Sequence, residues 1–258
     1  MMSGMTAQLD STVLVSPPGG IPAPDQADAI PSNAIRSVTL PGPEGRLEAL
    51  LNEGAPGAPF AALVCHPHPA GGGTMHNKVV YHAMKVLNDP SWGFHWPTLR
   101  FNFRGIGLSQ GTHSGYGESA DVQAALAWLA SEFHRPIVVA GFSFGAVMAL
   151  KACCANDPAA DVRALALLGL PTRIPNRETA STLLASCTLP KLFLSGDNDQ
   201  FAPASDLHQV AAFAREPKRL AFIPDADHFF TGQIEPMQHA LSDWLSATVS
   251  PKPSERQQ

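Results

Sequence analysis

The run that most constrains this chain is Gly141-Phe142-Ser143-Phe144-Gly145. A strand-like apolar stretch, Pro136 to Ala140, leads into it, and a helix-like stretch, Ala146 to Cys154, leads out. Strand, G-x-S-x-G, helix is the setting of a nucleophile elbow. Such a turn is too tight for bulky neighbours, so glycines flank the serine at two residues' distance, and the hydroxyl stands above the sheet in a strained backbone conformation. The pentapeptide alone is also compatible with an ordinary glycine-rich turn. Its meaning depends on whether the chain supplies a base, an acid and donors for an oxyanion.

The surrounding pattern is strands alternating with helices. Strand-like runs are expected at Ile35 to Leu40, Arg46 to Leu51, Phe60 to Cys65, Pro97 to Asn102, Val162 to Leu170, Lys191 to Ser195 and Arg219 to Ile223, besides the one before the elbow. Helical periodicity marks Asn77 to Leu87, Glu118 to Phe133, Ser205 to Ala214 and Gln233 to Leu245. About eight strands with crossover helices predict an α/β chain built on a mostly parallel, doubly wound sheet. The first two runs are expected to pair as a hairpin across Pro41 to Gly45. With 258 residues, 45% of them hydrophobic, one large domain is expected over residues 34–248. Residues 1–33 and 249–258 read as tails rich in proline and polar residues. Only Thr172 to Pro190 could hold cap structure, and it is too short for a large lid.

Charge and cysteine usage bound the function. The net charge is -5, with no basic patch for nucleic acid and no apolar stretch of the ~20 residues that a membrane helix needs. Neither nucleic acid nor a membrane is therefore expected as a partner. The start, Met1-Met2-Ser3-Gly4-Met5, has no signal-peptide character. Cys65, Cys153, Cys154 and Cys187 fit neither a disulfide framework nor a metal-binding spacing. They are expected to be buried free thiols in a cytoplasmic protein. The oligomeric state stays open, a homodimer included.

In an open α/β sheet, chemistry gathers beyond the carboxyl ends of the strands. His228 follows the last strand and is the expected base, able to take the serine proton and return it to a leaving group. After the preceding strand comes Ser195-Gly196-Asp197-Asn198-Asp199. Asp199 is the expected acid, which would orient the imidazole, and Asp197 is expected to bond local amides in the turn. The amide of Phe144, at a helix start, is the expected first oxyanion donor. The second should come from His66-Pro67-His68-Pro69-Ala70-Gly71. Prolines have no N–H, so the His68 amide is favoured over Ala70 and Gly71. The His66 and His68 side chains lack a third ligand at zinc-like spacing, and are expected to line the pocket and brace the loop. Arg104 is expected to tie loops together through its several donors.

The segments CHPHPAGGGTMHNKVV, LRFNFRGIGLSQG, AGFSFGA, LSGDNDQF and ADHFF together resemble a bacterial family of small α/β-hydrolases, described as predicted serine esterases. The resemblance runs from about residue 35 to 247. It implies the α/β-hydrolase fold with little or no cap, no cofactor and no metal, and the roles of nucleophile for Ser143, acid for Asp199 and base for His228. His76 stands where some relatives have an acidic residue, so the resemblance assigns it no role. The expected activity is cleavage of small or medium carboxylic esters through an acyl-enzyme, with a small-molecule acyl substrate. A thioesterase or peptidase would use the same triad. A non-catalytic binding protein on this fold is disfavoured by the intact set, and a dehalogenase by the lack of an aspartate at the elbow.

Overall fold

The computed structural model describes residues 34–154, 159–172 and 177–249. The expected tail over 1–33 lies outside them, as does 250–258. Val249 itself belongs to the last helix.

Eight strands form one sheet. β1 (Ile35–Gly42) and β2 (Gly45–Asn52) make an antiparallel hairpin. β3 (Ala61–Cys65), β4 (Thr98–Phe101), β5 (Ile137–Phe142), β6 (Val162–Leu168), β7 (Lys191–Gly196) and β8 (Lys218–Ile223) follow. The spatial order is β1-β2-β4-β3-β5-β6-β7-β8. β2 meets β4 antiparallel, and every later pair is parallel. β3 and β5 are buried throughout, as strands covered on both faces must be, and this explains their unbroken apolar runs; β4 is as buried but carries Thr98 and Arg100. Lys191, at the start of β7, is a second buried cation in the sheet. Its ammonium donates to the carbonyls of Cys187 and Arg215, at 3.0 and 2.7 Å.

The helices divide between the two faces. α1 (Lys78–Asn88) and α6 (Ile234–Val249) cover one, packing Val80, Leu87, Met237 and Leu241 onto it. α2 (Ser119–Phe133), α3 (Phe144–Cys153) and α5 (Ala204–Ala212) cover the other with Leu126, Met148 and Leu207. α4 (Arg177–Ser186) lies in the stretch where sequence suggested only room for a cap. Its Leu184 is buried against the α3 side of the sheet.

One expectation is overturned here. Cys154 and Cys187 form a disulfide across 33 residues of sequence, so only Cys65 and Cys153 are free and buried. β6 and α4 bring the chain back to the end of α3. That return is tertiary, and cysteine spacing does not reveal it.

Candidate active site

Ser143 sits at the junction of β5 and α3 with φ 54° and ψ -118°. Few non-glycine residues adopt such a backbone, and strain of this kind concentrates at functional turns. The flanking glycines have specific reasons. A Cβ on Gly141 would run into the backbone of Gly145 and Ala146, closing the turn on itself. A Cβ on Gly145 would strike the carbonyls of Cys65 and His66, at the end of β3. The elbow therefore lies directly against the loop that follows β3. The parallel register, with Cys65 opposite Gly141, sets up that approach.

The three sequence-predicted side chains converge. Ser143 Oγ lies 2.9 Å from His228 Nε2, and His228 Nδ1 lies 2.8 Å from Asp199 Oδ2. All three residues are buried or nearly so. Asp199 Oδ1 accepts the amides of Phe201 and Ala202, at 2.8 and 3.0 Å. Burial pushes the Asp199 carboxyl up, but the bonds from His228, Ser195 and the Phe201 amide outweigh it and hold the group below the usual range. It is a carboxylate at neutral pH, with a fixed orientation.

Phe144 and His68 border the same cavity as Ser143. Neither of their amides donates to a protein acceptor among the described residues. His68 Nδ1 accepts the amide of Ala70 at 3.1 Å, and the His68 ring stands edge-on to Phe144, with centroids 5.0 Å apart. His66 behaves differently. It is wholly buried, its Nδ1 is 2.7 Å from the Pro67 carbonyl, and its Nε2 accepts the Phe103 amide at 3.1 Å. Burial pushes its pKa from 6.5 down to about 4, so the ring is neutral and braces the loop. His76 is exposed and does not border the cavity. No three His, Cys, Asp or Glu side chains among the described residues converge as metal ligands.

The cavity has a volume of about 520 Å³, within the range of small-molecule sites. Phe144, Phe201 and Phe229 supply much of its wall, with Val147 and Met148 of α3. Phe142 and Phe230, the other aromatic candidates near these loops, are fully buried core residues, and Phe142 lies against the His228 ring.

Residues 61–247 match the family model described as alpha/beta hydrolase domain. The chain belongs to that family. A curated relative within reach is an uncharacterized protein of Rickettsia prowazekii, 36% identical over 213 residues, which cover 79% of this chain and 86% of the relative. Among solved structures, an α/β serine hydrolase without lid from Xanthomonas campestris superposes with a TM-score of 0.74 at 27% identity, covering 88% of this chain and 100% of that one. An alpha-beta serine hydrolase homologue from Coxiella burnetii gives 0.71 at 31% identity, covering 81% and 96%. Among the described residues, this alpha/beta hydrolase carries no lid domain over the sheet.

Several residues at the alpha/beta hydrolase site were not singled out from sequence. Ser195, buried at the end of β7, donates to Asp199 Oδ2 at 2.8 Å. Its place at a strand's carboxyl end was the available signal. Gly169, with φ 52°, leaves room for the base, since a Cβ there would come within 3.1 Å of His228 Cε1. Glu118 is fully buried, and its Oε1 accepts the Gly115 amide at 3.0 Å, ordering the cavity rim at Ser114 and Gly115. Asp197 does not order its turn as expected. It is exposed, and the local amides, those of Phe201 and Ala202, go to Asp199; in the loop after β8, Asp227 Oδ1 accepts from Phe229 and Thr231 at 3.0 and 2.9 Å. Arg104 does tie loops together, through Asp121, Glu44 and the Gly117 carbonyl.

Proposed function

We propose that this protein is a serine hydrolase that cleaves small to medium carboxylic esters. The reading rests on the continuous bonding from Ser143 Oγ through His228 to Asp199 at the floor of an apolar cavity. Ser143 Oγ attacks the ester carbonyl as His228 Nε2 takes its proton. The amides of Phe144 and His68 donate to the developing oxyanion, which preorganised dipoles stabilise more than they do the ground state. His228 then protonates the departing alcohol, leaving the acyl group on Ser143. Water, deprotonated by His228, attacks the acyl carbonyl and releases the acid. Asp199 holds the imidazole tautomer and stabilises the imidazolium without taking the proton. An apolar wall and one reacting centre favour carboxylic esters over peptides, whose backbone would need polar partners.

The test is turnover of p-nitrophenyl esters by the intact protein and by Ser143→Ala. The variant is expected to stay folded and to lose on the order of 10⁴-fold or more in kcat. A fluorophosphonate should label Ser143 alone. Turnover unchanged in Ser143→Ala would overturn the mechanism. Faster cleavage of matched thioesters or amides than of esters would overturn the substrate class.

A further inference from the structure

We infer that the arm of the cavity running along α3 takes an acyl chain ending in an anion, which Lys151 receives; this rests on the ester-hydrolase reading above. Phe144, Val147, Met148 and Lys151 all border the cavity, and they follow the three- and four-residue spacing of one helix face. The first three are apolar. Lys151 is half-buried in the last turn. Among the described residues it is the one lysine or arginine bordering the cavity, and no aspartate or glutamate borders it. Among the described residues, Lys151 forms no ion pair and no side-chain hydrogen bond. Lys151 is thus a cation with no charged partner among the described residues, on the wall of a largely apolar cavity. Lysine near a helix C-terminus also complements the dipole, but that role does not require the side chain to border this space.

The geometry points to the acyl arm rather than the leaving group. His228 must reach the leaving oxygen, and its ring is flanked by Phe201 and Phe229, with centroids 4.7 and 5.2 Å away. The alcohol therefore departs on that side. The α3 wall serves the other arm. Lys151 lies eight residues beyond Ser143, about 12 Å along the helix axis, and helical side chains lean back toward the N-terminus. The matching substrate is an ester of a dicarboxylic acid with a chain of roughly six to eight carbons, its free carboxylate at the lysine. The methylenes lie on Val147 and Met148, and a chain too short leaves the carboxylate in apolar surroundings, where it is disfavoured.

The test compares mono-p-nitrophenyl suberate with its methyl ester, the uncharged match of nearly the same length. The intact protein is expected to favour the anionic ester by about tenfold in kcat/KM, as a charge-assisted contact in a partly buried site would. Lys151→Met should bring that ratio to about one, Lys151→Glu should invert it, and Lys151→Arg should preserve it. Raising the salt concentration should shrink it. Equal turnover of both esters, or a preference that survives in Lys151→Met, overturns the anion site and leaves the hydrolase reading standing. No turnover of either ester overturns both.

Discussion

Ser195 and His228 share one oxygen: both donate to Asp199 Oδ2, each at 2.8 Å. The other oxygen, Oδ1, is taken by the amides of Phe201 and Ala202. The carboxylate therefore cannot rotate without breaking several bonds in a buried site. Ser195→Ala removes one donor and leaves the His228 bond in place. We expect kcat on p-nitrophenyl esters to fall about tenfold with KM nearly unchanged, the range seen when a supporting hydrogen bond behind a reactive group is lost. An unchanged kcat would show that the backbone amides alone fix Asp199.

His66 links the loop after β3 to acid stability. In the folded chain its Nδ1 faces a carbonyl, which can only accept, and its Nε2 faces an amide, which can only donate. The ring must be neutral, and its pKa lies near 4 rather than 6.5. A depressed folded pKa contributes stability above the unfolded value that is lost as pH falls toward the folded one. Stability should therefore drop between about pH 6.5 and pH 4, by up to about 3 kcal/mol from this group. Urea denaturation at a series of pH values should show a shallower slope in His66→Gln than in the native chain. Equal slopes would place the acid sensitivity elsewhere.

Much of the site was legible because its parts are local. Each of Ser143, Asp199 and His228 sits just past an apolar strand, so strand order alone predicted their convergence. Phe144 and His68 were expected from which residues near the elbow own an N–H, and both border the cavity. The hairpin of β1 and β2 followed from period-two alternation across a turn. What escaped depends on contacts between distant segments. Ser195 looked like one more strand residue until Asp199 folded back on it. Asp197 and Asp199 are equally suited to bonding turn amides, and only the path of the loop gives them to Asp199. The ten residues of α4 carry weak amphipathic character, and their helix is fixed by packing Leu184 inward. The Cys154–Cys187 pair was hidden for the same reason.

That disulfide ties the end of the helix carrying Ser143 to the segment just past α4. It closes a loop spanning 33 residues, so chain entropy in the unfolded state gives it about 4 kcal/mol of stabilisation. Peptide mapping without reductant should recover Cys154 linked to Cys187. Treatment with a phosphine reductant should lower the urea midpoint of the native chain, and should leave the Cys154→Ser, Cys187→Ser double variant unmoved. A native chain with the same midpoint before and after reduction would mean that the bond contributes nothing to stability.

Gly169 stands at the end of β6 with φ 52°, and its missing side chain is what the imidazole of His228 packs against. Alanine there carries two costs. The left-handed backbone disfavours any Cβ by roughly 1 kcal/mol. The new methyl would also lie 3.1 Å from His228 Cε1 and from Phe142 Cε2. Phe142 is locked in the core, so the imidazole is the group that yields. A shift of a few tenths of an ångström lengthens the contacts to Ser143 and Asp199 together. Gly169→Ala should therefore lower kcat about tenfold, a loss larger than its small effect on the melting temperature explains, since misplacement of a reacting group is costly. Fluorophosphonate labelling of Ser143 should slow in parallel, because that reaction needs the same base. A variant that labels at the native rate would show that the ring has room to spare.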